Sequence, residues 1–160
     1  MKYAGVIRND VAAAPGVCYT FFVQGCDRHC PGCHNPETWD FEGGQEFTVG
    51  TINKVIEGIK ANGIQRDFCV MGGEPLADQN LFLTYPMVTA VREEYPDIKI
   101  YLWTGYTYEE LMERHNHRLT DILATIDVLI DGPYIEKERD ISLFMRGSRN
   151  QRIINLKEQS

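Results

Sequence analysis

The sequence predicts an α/β protein: one mostly parallel sheet, opened into a partial barrel, with residues 1–160 forming a single domain. Three observations carry this. Short apolar runs alternate with helix-patterned segments, which implies parallel strands joined by right-handed crossovers. Only four or five such runs are present, too few to close an eight-stranded barrel. A chain of 160 residues with 43% apolar and 11% aromatic residues has the length and core material of one domain.

In chain order, Cys18 to Gln24 (CYTFFVQ) is β-branched and aromatic enough for a buried strand, and it runs directly into a cysteine-rich loop. A turn-rich stretch follows, ending in GGQEF. Ile52, Val55, Ile56 and Ile59 then recur at helical spacing, with Thr48 as N-cap and Gly63 as stop. Phe68 to Met71 is a second apolar strand, followed by GGEP. A helix from about Thr84 to Tyr95 places Pro86 in its first turn and Val88 and Val91 on one face, with Pro96 ending it. Ile98 to Trp103 (IKIYLW) alternates as a third strand and leads into TGY. Thr107 to Glu110 has the capping-box pattern that opens a helix, and a second short helix covers about Thr120 to Thr125. Asp127 to Ile130 is the fourth strand, followed by DGPY.

The cysteine loop, GGEP, WTGY and DGPY each come just after a predicted strand. The carboxyl edge of a parallel sheet is where α/β proteins place their sites, so four separate motifs converge on one rim.

Charge and composition exclude several classes of function. With 16 basic against 23 acidic residues the net charge is -7, which repels polyphosphate and argues against nucleic acid as a partner. No run of about 18 apolar residues exists, and MKYAGVIRND lacks the apolar centre of a signal peptide. A soluble, cytoplasmic protein with no membrane partner is expected. Arg139, Arg146, Arg149 and Arg152 form a local basic segment, readable as a solvated face or as a surface for a partner.

Five cysteines in a chain expected to stay in a reducing compartment point to metal binding or catalysis rather than disulfides. Three of them, Cys26, Cys30 and Cys33, lie within GCDRHCPGCHN. Spacings of four and three residues in a Gly- and Pro-containing loop allow the thiolates to face a common centre. Zinc is one reading, with His29 or His34 completing a tetrahedron. The other is a cubane iron–sulfur cluster held by three irons, which leaves the fourth iron open to a substrate or cofactor. Cys18 and Cys69 sit among apolar neighbours in predicted strands and read as buried structural cysteines. In Met71 to Pro75 (MGGEP), two glycines let a ligand approach the backbone, and Glu74 can accept from an ammonium group.

The Cys-x3-Cys-x2-Cys loop CDRHCPGC, followed by Gly72, Gly73 and Glu74, resembles the radical S-adenosylmethionine (SAM) enzymes. The resemblance implies a shortened, partial (open) parallel βα barrel of the radical SAM type. It implies that Cys26, Cys30 and Cys33 hold a 4Fe-4S cluster whose open iron is chelated by the amino and carboxylate groups of SAM, with Gly72 to Glu74 at the methionine amino end. An electron from the cluster would then cleave the sulfonium and yield a 5′-deoxyadenosyl radical.

GCDRHCPGCHNPETWD and the trailing GGQEFT are similar to the glycyl-radical-enzyme activases, which include those for pyruvate formate-lyase and for anaerobic ribonucleotide reductase. The short chain, PGC in place of an aromatic residue before the last cysteine, and WTGY, DVLIDGPY and RGSRNQRII resemble the second group, over about Gly16 to Ile154. By this resemblance Thr104 and Asp131 lie near the SAM ribose or carboxylate. Related activases often carry a lysine two residues after this aspartate, where this chain has Pro133. His29 and His34 become shielding or solvent contacts, Trp39 a packing residue over the loop, and Asn35 a turn residue within reach of cluster or cofactor. The implied partners are anaerobic ribonucleotide reductase, whose glycine Cα would yield a hydrogen atom, and a flavodoxin or ferredoxin as electron donor. Activation of another glycyl radical enzyme, or a non-enzymatic zinc-binding module, are the competing expectations.

Overall fold

In the computed structural model, which describes residues 1–33 and 36–157, the chain builds one seven-stranded sheet with four α-helices. The strands are β1 (Lys2–Asp10), β2 (Cys18–Val23), β3 (Gln45–Glu46), β4 (Asp67–Gly72), β5 (Ile100–Trp103), β6 (Val128–Asp131) and β7 (Arg152–Asn155). The helices are α1 (Val49–Ile59), α2 (Leu81–Glu94), α3 (Tyr108–Glu113) and α4 (His117–Thr125). Across the sheet the order is β3-β1-β2-β4-β5-β6-β7. The centre, β2 to β6, is parallel, while β1, β3 and β7 pair antiparallel at the edges. The protein is therefore mixed α/β with a sheet that is parallel only in its middle.

The four expected strands are the four parallel ones. Their side chains alternate between faces, as a period of two requires. On one face Phe21, Val23, Phe68, Val70, Ile100, Leu102 and Leu129 pack against Val55, Ile59, Met87, Val88, Val91, Leu119 and Ile122 from the helices. Each large side chain buried here stabilises the fold by roughly 1.5–3 kcal/mol. On the other face Cys18, Cys69, Tyr101, Val128 and Ile130 pack against Ala14 and Met145, which belong to no helix.

Helix ends follow local chemistry. Thr48 caps α1 through a capping box with Thr51, and the helix gives way after Ile59 to a short turn in which Asn62 and Gly63 take positive φ. Two starts differ from expectation. Helix α2 begins at Leu81, so Pro86 lies inside it and not in its first turn. An interior proline costs about 3 kcal/mol, but Leu83, Met87, Val88 and Val91 are all fully buried and together outweigh it. Helix α4 begins at His117, because the Asn116 side chain accepts from the Leu119 amide at 3.1 Å and caps it there.

Strands β1, β3 and β7 were not expected. β1 carries Gly5, a charged end and two register shifts, so its apolar pattern is broken. Its terminal Asp10 accepts from the Ala12 and Ala13 amides and from Thr20 Oγ1 at 2.7 Å, tying the following turn back to the sheet. No helix among the described residues is long and apolar enough to cross a membrane.

Candidate functional site

Four parallel strands end side by side, and their exits form one rim. The segment after β2 carries the cysteines, β4 runs into Gly73 and Glu74, β5 into Thr104 and Gly105, and β6 into Gly132. Between these exits lies a cavity of about 210 Å³ whose wall includes Cys26, Cys30, Cys33, Gly72, Gly73, Glu74 and Thr104. The rim inferred from strand order is thus present, and seven of the eight expected site residues share it.

The cysteine loop is anchored at its base. The Gly25 and Cys26 amides donate to the Thr38 and Trp39 carbonyls at 2.6 and 3.1 Å, and the Gly25 carbonyl accepts from the Glu74 amide at 2.8 Å. Gln24 reaches across to the Glu37 and Asp40 carbonyls and holds the return segment in place. Gly73 is required by this closure, since a Cβ there would stand 2.3 Å from the Gly25 carbonyl oxygen. At Gly72, φ is +113 and a Cβ would meet the Val23 backbone at 2.6 Å. These two glycines therefore let the ends of β2 and β4 close on one another, a use the sequence reading did not anticipate.

Burial pushes the Cys26 thiol up, and the Glu74 and Asp27 carboxylates act in the same direction, against hydrogen bonds to the Arg28 and His29 backbone. Cys18 and Cys69 are fully buried on the sheet face below, as expected. Their mutual hydrogen bond and burial push the Cys69 thiol far up, which keeps it protonated. His29 does not face the cavity; it is exposed and its ring stacks on Trp39, with centroids 4.6 Å apart. His34 and Asn35 lie outside the described residues.

Glu74 is 1% exposed. Its carboxylate accepts from the Gly105 amide at 2.6 Å, from Thr104 Oγ1 at 2.7 Å and from the Leu76 amide at 3.0 Å. Three of its roughly four acceptor positions are used within the chain. Burial raises its pKa, and those three donors oppose the rise. Glu74 and Thr104 thus bind the exits of β4 and β5 together.

Asp131 does not line the cavity. It is 1% exposed and accepts from the Tyr108 amide at 2.8 Å and from Arg152 Nε at 3.0 Å. It anchors the start of α3 and fixes Arg152, which also pairs with Glu109 at 2.8 Å. The basic segment is accordingly not uniform: Arg152 is committed to ion pairs, while Arg146 donates to the Gln151 carbonyl at 3.3 Å.

Residues that the sequence reading missed complete the wall: Arg28, Met71, Trp103, Tyr134, Met145 and Gln151. Arg28, Met71, Trp103, Tyr134 and Gln151 lie within motifs that the sequence singled out, though none was given a role of its own, and Met145 carried no signal. Two buried donors on this wall, Arg28 Nε and Trp39 Nε1, have no hydrogen-bond partner among the described residues. Orphaned donors beside three thiols fit an occupant rich in acceptors, as sulfides, thiolates and carboxylates are. Among the described residues no three His, Cys, Asp or Glu groups converge where a single ion would sit; a cubane needs its three thiolates at separate corners.

A family profile described as a 4Fe-4S single cluster domain matches residues 12–154. Proteins named anaerobic ribonucleoside-triphosphate reductase-activating protein align over nearly the whole chain. That of Vibrio cholerae is 38% identical over 152 residues, covering 94% of this chain and 96% of the relative. Those of Escherichia coli and Haemophilus influenzae are 35% and 37% identical, each over 158 residues and 98% of this chain, with 100% and 99% of the relatives covered. With its three cysteines gathered on the rim of the sheet and this similarity over its length, the chain belongs to the family of anaerobic ribonucleoside-triphosphate reductase-activating proteins and carries a 4Fe-4S single cluster domain.

Proposed function

We propose that the protein is a radical SAM activase that installs a glycyl radical on anaerobic (class III) ribonucleotide reductase. The observation that carries this reading is the shared cavity: three cysteine side chains, with no fourth thiol among the described residues of its wall, share it with Gly72 to Glu74 and Thr104. Cys26, Cys30 and Cys33 would hold a 4Fe-4S cluster by three irons and leave the fourth for SAM. When bound, the cluster and SAM would supply one-electron reductive cleavage of the sulfonium and, through it, hydrogen-atom abstraction from a glycine Cα. Gly72, Gly73 and Glu74 hold the methionine end, with Glu74 keeping its remaining acceptor position for the amino group. Thr104 is fixed by Glu74 and borders the same cavity. Asp131 serves the site from behind, through the start of α3 and through Arg152.

The sheet is read as a shortened, partial radical SAM barrel forming one domain, whose inner face would be the one that Met71, Trp103 and Met145 border. The open mouth of a partial barrel would suit a protein loop as substrate. The electron donor would be a flavodoxin or ferredoxin, and the setting cytoplasmic. The test is anaerobic reconstitution with iron and sulfide, followed by electron paramagnetic resonance with and without SAM, then with the reductase. Expected are a reduced cluster signal that SAM perturbs and a glycyl radical on the reductase. A colourless protein with stoichiometric zinc and no iron would overturn the reading. A spectrum indifferent to SAM would also count against it.

A further inference from the structure

We propose that Arg28 is the residue that anchors the carboxylate of SAM in this cavity, an inference that rests on the radical SAM reading above. Arg28 is the one cationic side chain among the described residues lining either the cavity or the adjoining depression, which Asp27, Cys30, Pro31, Tyr106, Pro133 and Tyr134 also border. The carboxylates bordering these walls are Glu74 and Asp27, and no lysine or histidine among the described residues lines them. A ligand that brings a carboxylate into this space therefore finds its one cationic partner in Arg28, with Trp39 Nε1 as a neutral donor on the same wall.

The side chain is held but not satisfied. Its guanidinium lies over the Tyr106 ring at 4.9 Å, and Arg114 covers the same ring at 5.1 Å. The Tyr106 hydroxyl donates to Asp27 at 2.9 Å, which fixes the ring. Arg28 Cδ packs against Gly105, where a Cβ would stand 2.6 Å away. Its carboxylate neighbour, Glu110, is at 4.0 Å, and its side chain already accepts from the Thr107 amide at 3.0 Å in the α3 capping box. Meanwhile Arg28 Nε is buried with no hydrogen-bond partner among the described residues.

A buried donor left unpaired is unfavourable, and a guanidinium edge is shaped for two parallel bonds to a carboxylate. The ring and Gly105 place the stem, so little side-chain freedom remains to be lost on binding. An incoming carboxylate supplies the acceptor that the fold withholds. Glu74 faces the same cavity with one acceptor position left, so an amino acid end finds one group for each of its charges: Glu74 for the ammonium and Arg28 for the carboxylate.

The test compares dissociation constants of SAM and of decarboxylated SAM for the anaerobically reconstituted wild type, Arg28→Gln and Arg28→Lys, by calorimetric titration. Iron content and circular dichroism serve as checks on folding. Arg28→Gln is expected to weaken SAM about tenfold to hundredfold while leaving decarboxylated SAM unchanged. Arg28→Lys should recover part of the loss, since it keeps the charge without the fork. Equal losses for both ligands, or no loss for SAM, would overturn the assignment to Arg28 alone. A wild-type protein that holds its cluster yet binds no SAM would overturn the activase reading and this inference with it. Should Arg28→Gln fail to take up iron, the two-ligand comparison with Arg28→Lys decides: a SAM-selective loss supports the assignment, and its absence refutes it.

Discussion

Cys18 and Cys69 have the same thiol chemistry as Cys26, Cys30 and Cys33, and only their surroundings separate the two groups. The first pair is fully buried on the sheet face and hydrogen-bonded to one another; the other three line the cavity. Replacing any one of Cys26, Cys30 or Cys33 by alanine is therefore expected to abolish cluster retention after anaerobic reconstitution, read as iron and sulfide per protein. Cys18→Ala or Cys69→Ala should retain the cluster at the cost of a small core cavity. Iron loss from the second set equal to that from the first would refute the division. The division itself was legible in the sequence, because strand-like apolar neighbours mark a packing cysteine and Gly and Pro mark a loop. Arg28 was not legible in this way. Its significance depends on the missing partner at Nε and on Tyr106, far along the chain, and no local pattern reports either.

At the scale of single elements, α3 shows how a short helix serves the rim. It spans only Tyr108–Glu113, too short to be stable alone. It is held by the reciprocal Thr107 and Glu110 capping box and by Asp131, which takes the Tyr108 amide. Thr107→Ala removes one of these supports and should destabilise the protein by about 1 kcal/mol, measured as a lowered urea midpoint with an unchanged slope. A midpoint equal to that of the wild type would mean that Asp131 alone suffices to start the helix. The capping signals of α1 and α3 were readable, since they are local. The start of α2 was not, because its buried stripe extends the helix past the proline that sequence rules would place in its first turn. Strands β1, β3 and β7 escaped for a related reason: they are short or irregular and half exposed, so their pairing with β2, β1 and β6 decides them rather than any pattern of their own.

Across the whole molecule, the main core sits between the sheet and its helices, while the cysteine loop lies beyond the strand ends. Chelating the iron is therefore expected to leave the far-ultraviolet circular dichroism essentially unchanged while making the segment around Cys26 to Cys33 more susceptible to proteolysis. A collapse of the helix and strand signal on chelation would show instead that the cluster is part of the folding nucleus. The arrangement also explains why the two sheet faces differ. Helices cover one face, and the turn holding Ala14 together with the segment holding Met145 covers the other, where the cavity opens.

By itself the sequence determined which segments would be central strands, which cysteines would sit in a loop, and that these loops would share an edge, because periodicity, turn residues and strand-to-motif order are local or topological quantities. Only the tertiary structure decided that Gly72 and Gly73 close the ends of β2 and β4, that Glu74 is largely engaged by Thr104, Gly105 and Leu76, that Asp131 faces α3 and Arg152 rather than the cavity, and that Arg28 is left with an unpaired donor on the cavity wall. These outcomes depend on which distant groups arrive within hydrogen-bonding distance once the sheet is assembled, and that is set by packing across the fold.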